Sequence, residues 1–381
     1  MYILMISRGY PSLKDPQWGG FERDQAEALK RSGHKVVVLS VDRRFRFYWR
    51  KIGITSDVIN GIPIFNSFLL PSAFFRIWGE KIFFKIFSIQ MDRLYRKVQA
   101  KYGKPDIIYS HYLYNTAVAT DLKCKYKIPL VGIEHWSKLN NDKLSKYLKF
   151  LGKKAYGGAD VVIAVSKSLA NRIDQHFKKK AVVIHNMVNA SFFERSQYFP
   201  KKGVFSFITV GNLFPIKGHD LLIEAFKKAC FDDHVELKII GDGRLRFYLE
   251  QLVDKYRLNR QVKFLGKRNK EDIKEFLNSS NVFVLSSIAE NFSVALLEGL
   301  ASGLPAIATL CGGTDECINE SNGILVPVKN VNALAEAMKQ MVMNYSQYDK
   351  EKIREECKND YSPDVIVDKL IYVFNGVLVK Y

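Results

Sequence analysis

Cysteine is scarce in this chain, and its spacing excludes two kinds of framework. The cysteines are scattered and include no Cys-x2-Cys pair: Cys124, Cys230, Cys311, Cys317 and Cys357. Structural zinc sites and disulfide-stapled secreted domains both depend on regularly paired cysteines. We therefore expect reduced thiols, as in a cytosolic protein.

Long apolar runs and targeting signals are also lacking. The longest uncharged segment, Val58–Phe75, is interrupted by Gly61, Pro63 and Pro71, which makes it a poor candidate for a transmembrane helix. The apolar stretch that starts at Tyr2 has no basic segment before it and no small-residue cleavage site after it. We expect no signal peptide and a cytoplasmic location.

The chain also contains no Asp-x-Asp pair. Closely spaced carboxylates are the usual protein ligands of Mg²⁺. Nothing in the sequence therefore suggests a bound divalent cation, and we expect neither a metal site nor a resident cofactor.

Positive charge is concentrated in one half of the chain. Residues 1–195 hold 34 Lys and Arg against 15 Asp and Glu, whereas residues 196–381 hold 24 of each kind. Such asymmetry indicates a polyanionic partner, either nucleic acid or an anionic membrane surface. The alternative is a contribution to solubility with no partner.

The order of apolar segments predicts two α/β domains. At 381 residues the chain is too long for a single typical hydrophobic core. Short β-branched runs alternate with helical segments such as Phe21–Ser32, as in parallel, doubly wound sheets. The predicted strands are Tyr2–Ser7, Lys35–Val41, Asp106–His111, Leu130–His135, Asp160–Ser166, Ala181–Asn186, Phe205–Val210, Val235–Ile240, Val262–Leu265, Val282–Ser286 and Ala306–Leu310. The domain boundary is placed near Ser191–Gly203, and Ser362–Val379 is predicted as a final helix.

Two glutamates mark the most informative segment, which runs from Glu290 to Pro305. Glu290 is predicted in the loop after a buried strand, and Glu298, seven intervening residues later, inside the next helix. Backbone N–H groups at the helix start, from Asn291 to Ser293, suit an anionic group. Two carboxylates and these amides suit a sugar nucleotide, although a solvated loop Glu and a helix Glu are the alternative.

Further motifs accompany the two glutamates in a recognisable order. They are Gly19-Gly20, VIHNMVN at Val183–Asn189, VGNLFPIKGHDLL at Val210–Leu222, LKIIGDG ending at Gly243 and VKFLG ending at Gly266. Together they resemble the retaining glycosyltransferases of family 4 and their Glu-x7-Glu motif, over nearly the whole chain. Asn212 departs from the pattern where many members carry Arg, and Ser293 stands where Gly is common and is expected to narrow the sugar pocket.

The resemblance implies a GT-B fold, with two Rossmann-like domains facing each other across a cleft. It assigns residues 1–195 to an acceptor-binding domain and 196–361 to a nucleotide-sugar domain, with 362–381 as a helix returning to the first domain. The implied catalytic residues are His135, Lys217 and Glu290. The implied donor-binding residues are Gly20, Gly211, Asn212, Lys217, Gly241, Arg244, Gly266, Lys267, Asn291, Phe292, Ser293 and Glu298. His111 and Trp136 are assigned to the acceptor side.

The implied reaction is transfer of a sugar from a nucleoside diphosphate to the hydroxyl of a glycan or lipid-linked acceptor. Lys217 offers positive charge to the diphosphate, and Arg244 is a candidate to compensate for Asn212. No acidic residue of the first domain is an obvious nucleophile, which favours same-face attack without a covalent intermediate. The alternatives are a nucleotide-sugar hydrolase or epimerase, and a non-catalytic basic protein that binds RNA or anionic lipid.

Two basic, aromatic segments of the first domain bear on the partner. Phe68–Gln90 is rich in Phe with interspersed Arg76, Lys81 and Lys85. It is either core beneath the first sheet or an element resting at a membrane interface. Arg43–Lys51 also interleaves basic and aromatic residues, a pattern that single-stranded nucleic acid shares, but nothing else resembles a nucleic-acid module. We expect a peripheral protein at the inner face of a membrane and no nucleic-acid partner.

Overall fold

The computed structural model describes residues 1–12, 18–42, 52–69, 79–194 and 197–381. They form two compact units, Met1–Ile184 with Ile366–Tyr381, and His185–Val365. The second unit thus begins before the predicted boundary at 195, because His185 and Asn186 bind Glu316 and Phe292 of that unit. The division between the units falls within the final helix, between Val365 and Ile366, and the later part of that helix belongs to the first unit.

The first unit is built on a mainly parallel sheet. Its strands are β1 (Tyr2–Ser7), β2 (Lys35–Asp42), β3 (Gly53–Ile59), β4 (Ile62–Phe68), β5 (Ile107–His111), β6 (Leu130–Glu134), β7 (Val161–Ala164) and β8 (Val182–Val183). Its helices are α1 (Gly20–Arg31), α2 (Glu80–Tyr102), α3 (Leu113–Tyr126), α4 (Lys146–Gly158) and α5 (Lys167–Phe177). The strand order is β3-β4-β2-β1-β5-β6-β7-β8.

Central strands β1, β5 and β6 are buried along their whole length, as expected of a sheet covered on both faces. The final helix completes this core, since the ring of Phe374 lies 5.1 Å from that of Tyr109 on β5. The predicted strand Ala181–Asn186 shortens to β8, because its last two residues belong to the second unit and bind partners there.

The strands β3 and β4 were not predicted from the sequence. β3 and β4 form an antiparallel hairpin, and the two residues of its turn, Asn60 and Gly61, have φ angles of 51° and 70°. Positive φ at both positions is the geometry for which Asn-Gly is preferred. The segment Val58–Phe75, considered as an uncharged run, therefore begins in a hairpin, and Leu69 follows the end of β4.

The second unit repeats the doubly wound arrangement. Its strands are β9 (Phe205–Val210), β10 (Val235–Ile240), β11 (Val262–Gly266), β12 (Val282–Leu285), β13 (Ala306–Thr309) and β14 (Gly323–Val326), the last of which was not predicted. Its helices are α6 (His219–Ala229), α7 (Arg246–Lys255), α8 (Lys270–Asn278), α9 (Val294–Ala301), α10 (Val331–Met343) and α11 (Lys350–Tyr361), and α12 (Pro363–Leu378) follows. All pairings in the order β11-β10-β9-β12-β13-β14 are parallel.

The strand orders place the ligand-binding loops. In the first sheet, the strands that follow β1 in the chain are added on one side of β1, and β5 then lies on the opposite side of β1. In the second sheet, β9 and β12 have the same relationship. Ligands of open α/β sheets bind at the carboxyl ends of strands beside such a switch point. The loops after β1, β5, β9 and β12 are therefore the places to look for a site.

Where the structure describes the Phe-rich segment, its Phe side chains in α2 belong to the core. Phe83, Phe84 and Phe87 of α2 are buried, and the ring of Phe87 meets Tyr114 of α3 edge-on at 5.1 Å. Residues 70–78 of this segment, and all of Arg43–Lys51, lie outside the described residues. Among the described helices, none is long and apolar enough to cross a membrane.

Phe87→Ala tests the core assignment. We expect the variant to lose about 3–5 kcal/mol of unfolding free energy, because it removes a ring that is 1% exposed and leaves a cavity. Urea unfolding followed by fluorescence measures the loss. Ile89→Ala is the matched control on the same helix, where the side chain is 46% exposed. Equal losses in the two variants would contradict a buried Phe87.

Candidate functional site

An ion pair joins the two switch-point loops of the second unit. The ammonium Nζ of Lys217, after β9, lies 2.5 Å from Oε1 of Glu290, after β12. Ser287 donates its hydroxyl to the same carboxylate oxygen at 2.8 Å, and the backbone N–H of Glu290 donates to the carbonyl of Cys311 at 2.7 Å. Both charged side chains are partly exposed. The structure thus brings together two of the three predicted catalytic residues.

Backbone contacts hold these two loops against each other. Ser286 donates its hydroxyl to the carbonyl of Lys217 at 3.0 Å, and Ile288 donates its N–H to the carbonyl of Ile216 at 2.8 Å. Gly218 has a φ of 62°, and a Cβ on it would lie 2.3 Å from the carbonyl oxygen of Ser286. Only glycine permits this approach. The position of Lys217 relative to Glu290 is therefore set by the backbone.

Three predicted glycines end neighbouring strands at the same edge. Gly211 follows β9, Gly241 follows β10, and Gly266 closes β11. The N–H of Gly241 donates to the carbonyl of Gly266 at 2.9 Å, and its φ of 141° places the missing Cβ 1.9 Å from the carbonyl oxygen of Gly211. Exposed polar side chains lie beside these glycines: Asn212, Arg244 and Lys267. The guanidinium of Arg244 is 5.9 Å from the ring centre of Phe214, so this side chain remains at the edge predicted for it.

The start of α9 lies where it was predicted, and one of the predicted donor-binding residues also caps the helix. Asn291, Phe292 and Ser293 are buried immediately before the helix, and Glu298 lies inside it with only 9% exposed. The hydroxyl of Ser293 accepts the N–H of Leu296 at 3.3 Å and caps the helix. Capping the helix is therefore a structural role for Ser293, separate from its predicted role of narrowing the sugar pocket.

Residues that the sequence analysis did not assign to the site hold this loop in place. Asn186 donates its side-chain amide to the carbonyl of Phe292 at 3.0 Å. The ring of His185 lies 4.5 Å from that of Phe292, tilted by 30°, and its Nε2 contacts Oε2 of Glu316 at 3.0 Å. Tyr361 packs on the same ring at 5.6 Å. The motif VIHNMVN carried the signal, because it contains His185 and Asn186.

The first unit places a pair of histidines at its switch point. His111 ends β5 and His135 follows β6, and their rings stack at 5.4 Å with an interplanar angle of 7°. His111 is fully buried, and neither of its ring nitrogens has a hydrogen-bond partner among the described residues. Burial lowers the pKa of His111 well below its usual range, and nearby His135 and Arg8 lower it further. His111 is thus enclosed at the end of β5, and its assignment to the acceptor side stays a prediction.

Glu134 fixes the backbone that carries His135 and Trp136. Its carboxylate accepts the N–H groups of both residues, at 2.9 and 2.8 Å, and on the other oxygen the N–H of Leu113 and the hydroxyl of Tyr156, each at 2.7 Å. Burial raises the pKa of Glu134 to about 6 although these four donors oppose the rise. Glu134 is a positioning residue, whereas His135 and Trp136 remain partly exposed at the sheet edge.

An ion pair between a partly exposed arginine after β1 and a buried glutamate was not predicted either. Arg8 donates through Nε to Oε1 of Glu22 at 3.0 Å, and its guanidinium lies 3.7 Å from the ring centre of Tyr112. Glu22 is fully buried, and burial raises its pKa despite the guanidinium. Gly19, with a φ of 77°, approaches the carbonyl of Gly9 too closely for a Cβ, while Gly20 has open space where its Cβ would lie. Gly20 therefore offers accessible backbone at this edge.

Comparison with known proteins identifies the family. The model of the family described as "Glycosyltransferase Family 4" matches residues 23–192, and that described as "Glycosyl transferases group 1" matches residues 190–360. The chain belongs to the family 4 type of GT-B glycosyltransferases. The match extends over both described units.

Individual relatives of this glycosyltransferase agree. An uncharacterized glycosyltransferase of Methanocaldococcus jannaschii is 33% identical over 242 residues, covering 63% of this chain and 66% of that protein. A phosphatidylinositol N-acetylglucosaminyltransferase subunit from Arabidopsis thaliana is 23% identical over 358 residues, covering 88% of this chain and 74% of that protein.

Solved structures share the fold of this glycosyltransferase. Sucrose-phosphate synthase from Thermosynechococcus elongatus superposes with a TM-score of 0.80 at 19% identity and covers 100% of both chains. Anabaena HepE in complex with UDP-glucose gives a TM-score of 0.74 at 18% identity and covers 99% of this chain and 100% of its own. These similarities confirm the predicted GT-B fold class.

Glu134→Gln tests the positioning carboxylate. We expect the glycosyltransferase to lose about 1–3 kcal/mol of unfolding free energy, because the new side-chain amide presents hydrogens to donors that need an acceptor. Chemical denaturation at pH 7 measures the change. Asp142→Asn is the matched control, since that carboxylate is exposed and pairs only at the surface with Arg172. A loss no larger than in the control would refute the role.

His219 makes the second unit sensitive to acid. Burial lowers its pKa to about 4, and Lys217 contributes. Between pH 6.5 and 4 the unfolded chain binds a proton at this residue and the folded chain does not, so the stability that depends on neutral His219 falls as pH decreases. We expect His219→Gln to remove up to about 3 kcal/mol of this dependence, measured as unfolding free energy against pH. His234→Gln, at an exposed histidine, should leave the slope unchanged.

Proposed function

We propose that this glycosyltransferase moves a sugar from a nucleoside diphosphate to an acceptor hydroxyl, with retention of anomeric configuration. The observation that carries the proposal is the ion pair between Lys217 and Glu290 at the switch point of the second sheet. The cation of this pair suits the negatively charged diphosphate of a sugar nucleotide. The carboxylate suits the hydroxyl groups of its sugar.

The pair changes partners when the donor binds. The ammonium of Lys217 turns from the carboxylate to the diphosphate, where it neutralises the charge that develops on the leaving group. Glu290, still bound by the hydroxyl of Ser287, then accepts hydrogen bonds from the sugar hydroxyls. Glu298 is proposed to bind the ribose, and the backbone at Asn291–Ser293 lies between the two carboxylates. In the free protein each charge satisfies the other, which limits the cost of keeping both partly buried.

Same-face attack fits the carboxylates that the structure describes near His135. A double displacement requires an accessible carboxylate beneath the anomeric carbon. Glu22 is fully enclosed and paired with Arg8, and the oxygens of Glu134 accept four hydrogen bonds. Neither is placed as a nucleophile. This supports a retaining route in which leaving group and acceptor occupy one face of the sugar.

The substrates are proposed from chemistry and from the relatives. The UDP-glucose complex of Anabaena HepE supports a nucleotide sugar as donor, and phosphatidylinositol in the name of the Arabidopsis relative supports an acceptor that carries a lipid. We place that acceptor at the cytosolic face of a membrane. A glycan acceptor for surface polysaccharide is the related possibility. The transfer is proposed to need no metal ion, and the group that neutralises the diphosphate in its place is Lys217.

A thermal-shift panel with UDP, GDP, ADP and dTDP in EDTA tests the donor site. We expect one nucleotide to stabilise the wild type, by about 2.7 kcal/mol at a hundredfold excess over its dissociation constant. Lys217→Ala and Glu298→Ala should lose the shift, while Lys227→Ala, an exposed lysine of α6, should retain it. If no nucleotide shifts the wild type, the donor site is wrong.

Turnover then separates the proposed transfer from its alternatives. The substrate is a nucleotide sugar that carries the base found to stabilise the wild type. Release of the nucleoside diphosphate should then depend on added acceptor. Glu290→Gln should still bind the nucleotide but should turn over slowly. Turnover without acceptor would indicate a hydrolase or epimerase. Binding of RNA with no nucleotide-diphosphate binding would indicate the basic binding protein.

A further inference from the structure

Arg8 is held at the carboxyl end of β1, beside the switch point of the first sheet. Its Nε donates to Oε1 of Glu22 at 3.0 Å, and Glu22 is fully buried in the first turn of α1. The guanidinium carbon lies within 5.2 Å of three ring centres, those of Trp18, Phe21 and Tyr112. These contacts fix the position of the guanidinium group, which would otherwise move on a flexible stem.

The backbone of Tyr112 is held in a strained conformation beside Arg8. Its φ of 68° is rare for a residue with a large side chain. The N–H of Tyr112 donates to the carbonyl of Ile133 at 2.8 Å, and the carbonyl of Tyr112 accepts the N–H of Thr116 at 3.0 Å. Strained backbone that its surroundings hold in place is concentrated at functional sites. The ring carried by this residue is the one nearest the guanidinium, at 3.7 Å.

The outer edge of the guanidinium has no partner in the described part of the chain. Glu22 engages Nε, whereas neither terminal nitrogen of Arg8, Nη1 or Nη2, forms a hydrogen bond with a described residue. The side chain of Arg8 is 31% exposed. Aromatic rings pack on a guanidinium without using its hydrogen-bond donors. The terminal N–H groups are therefore available to a ligand.

The chemistry of this edge favours a phosphate or a carboxylate. Nη1 and Nη2 present parallel N–H groups whose spacing matches two oxygens of either anion. The amino end of α1 adds to the preference, because it carries partial positive charge and its N-cap residue, Gly19, makes no side-chain hydrogen bond to the helix. Glu22 balances the guanidinium from the buried side, which limits the cost of holding the charge there.

Two of the rings beside Arg8 also contact His135, one of the predicted catalytic residues. The ring centre of His135 lies 4.9 Å from that of Phe21 and 5.2 Å from that of Tyr112. Because Phe21 and Tyr112 each contact both residues, Arg8 and His135 lie close together at this edge of the sheet. A molecule bound to the terminal nitrogens of Arg8 is therefore held near the residue at which the reaction is expected.

We propose that Arg8 binds a phosphate or carboxylate group of the acceptor through Nη1 and Nη2. The proposed function assigns the nucleoside diphosphate to the second unit, so the anion bound by the first unit belongs to the acceptor, and this assignment rests on the proposed function. Binding of an anion by Arg8 requires neither turnover nor the donor, so the two proposals can fail separately. Arg8 thus selects acceptors that carry an anionic group near the hydroxyl that receives the sugar.

Thermal shifts of the full chain with inorganic phosphate and with acetate, each at constant ionic strength, test the proposal. We expect at least one of these anions to stabilise the wild type in a saturable manner. Arg8→Lys keeps a positive charge for Glu22 but lacks the paired N–H groups, and it should raise the dissociation constant of the anion about tenfold. Arg8→Gln with Glu22→Gln removes the ion pair without leaving a buried charge and should abolish the shift.

Arg23→Gln is the matched control. It removes one positive charge of similar exposure, 26%, from α1, and it should change the dissociation constant of the anion by less than about twofold. Equal losses in the control and in the Arg8 variants would overturn the proposal in favour of diffuse attraction. So would an Arg8→Lys variant that binds the anion as tightly as the wild type, or a wild type that neither anion stabilises.

Nucleotide shifts distinguish an anion of the acceptor from the diphosphate of the donor. Arg8→Lys should retain the shift given by the nucleoside diphosphate that stabilises the wild type, and Lys217→Ala should retain the shift given by the small anion. Loss of the nucleotide shift in Arg8→Lys would assign the anion to the donor and overturn the proposal, and so would loss of the small-anion shift in Lys217→Ala. If no nucleotide stabilises the wild type, the proposed function fails, and the small-anion titration still decides whether Arg8 binds an anion.

Discussion

The contact between Gly218 and the carbonyl of Ser286 is the constraint on which the second unit's site depends. A left-handed φ at Gly218 lets the loop after β9 lie against the loop after β12, where any side chain would collide with the Ser286 carbonyl oxygen. The same approach brings Lys217 onto Glu290. Backbone geometry, not the flexible lysine stem, thus determines which charges meet at the switch point, and a preorganised pair needs little rearrangement when a charged substrate replaces one member.

The first unit uses buried carboxylates for a comparable purpose. Glu134 gathers four donors and fixes the residues after β6, and Glu22 holds Arg8 beneath the aromatic ring of Tyr112. Both acids lie where burial opposes ionisation. Both oxygens of Glu134 accept hydrogen bonds, and a fully bonded buried acid makes its surroundings rigid. The backbone of His135 is therefore held in place, while the residue itself remains partly exposed.

Much of this organisation could be predicted from the sequence, because strands and strand-end glycines leave local signals. Lys217, Glu290 and Glu298 were found through motif spacing, and their roles remain predictions. Glu134 was overlooked as an organiser, since its function depends on donors from α3 and α4 that no local pattern reveals. The hairpin at Asn60-Gly61 was missed for another reason: its turn signal was present, but β3 is half exposed and lacks an apolar face.

The first unit is not continuous in the chain, and this affects how the protein is made. Its sheet is contributed by residues before Ile184, but Phe374, which packs against Tyr109 of the central strand β5, arrives from the last helix. During synthesis the amino-terminal sheet therefore waits, with part of its core uncovered, until the whole second unit has been translated. The part of the first unit's core that Phe374 covers is therefore made later in the chain than the whole second unit.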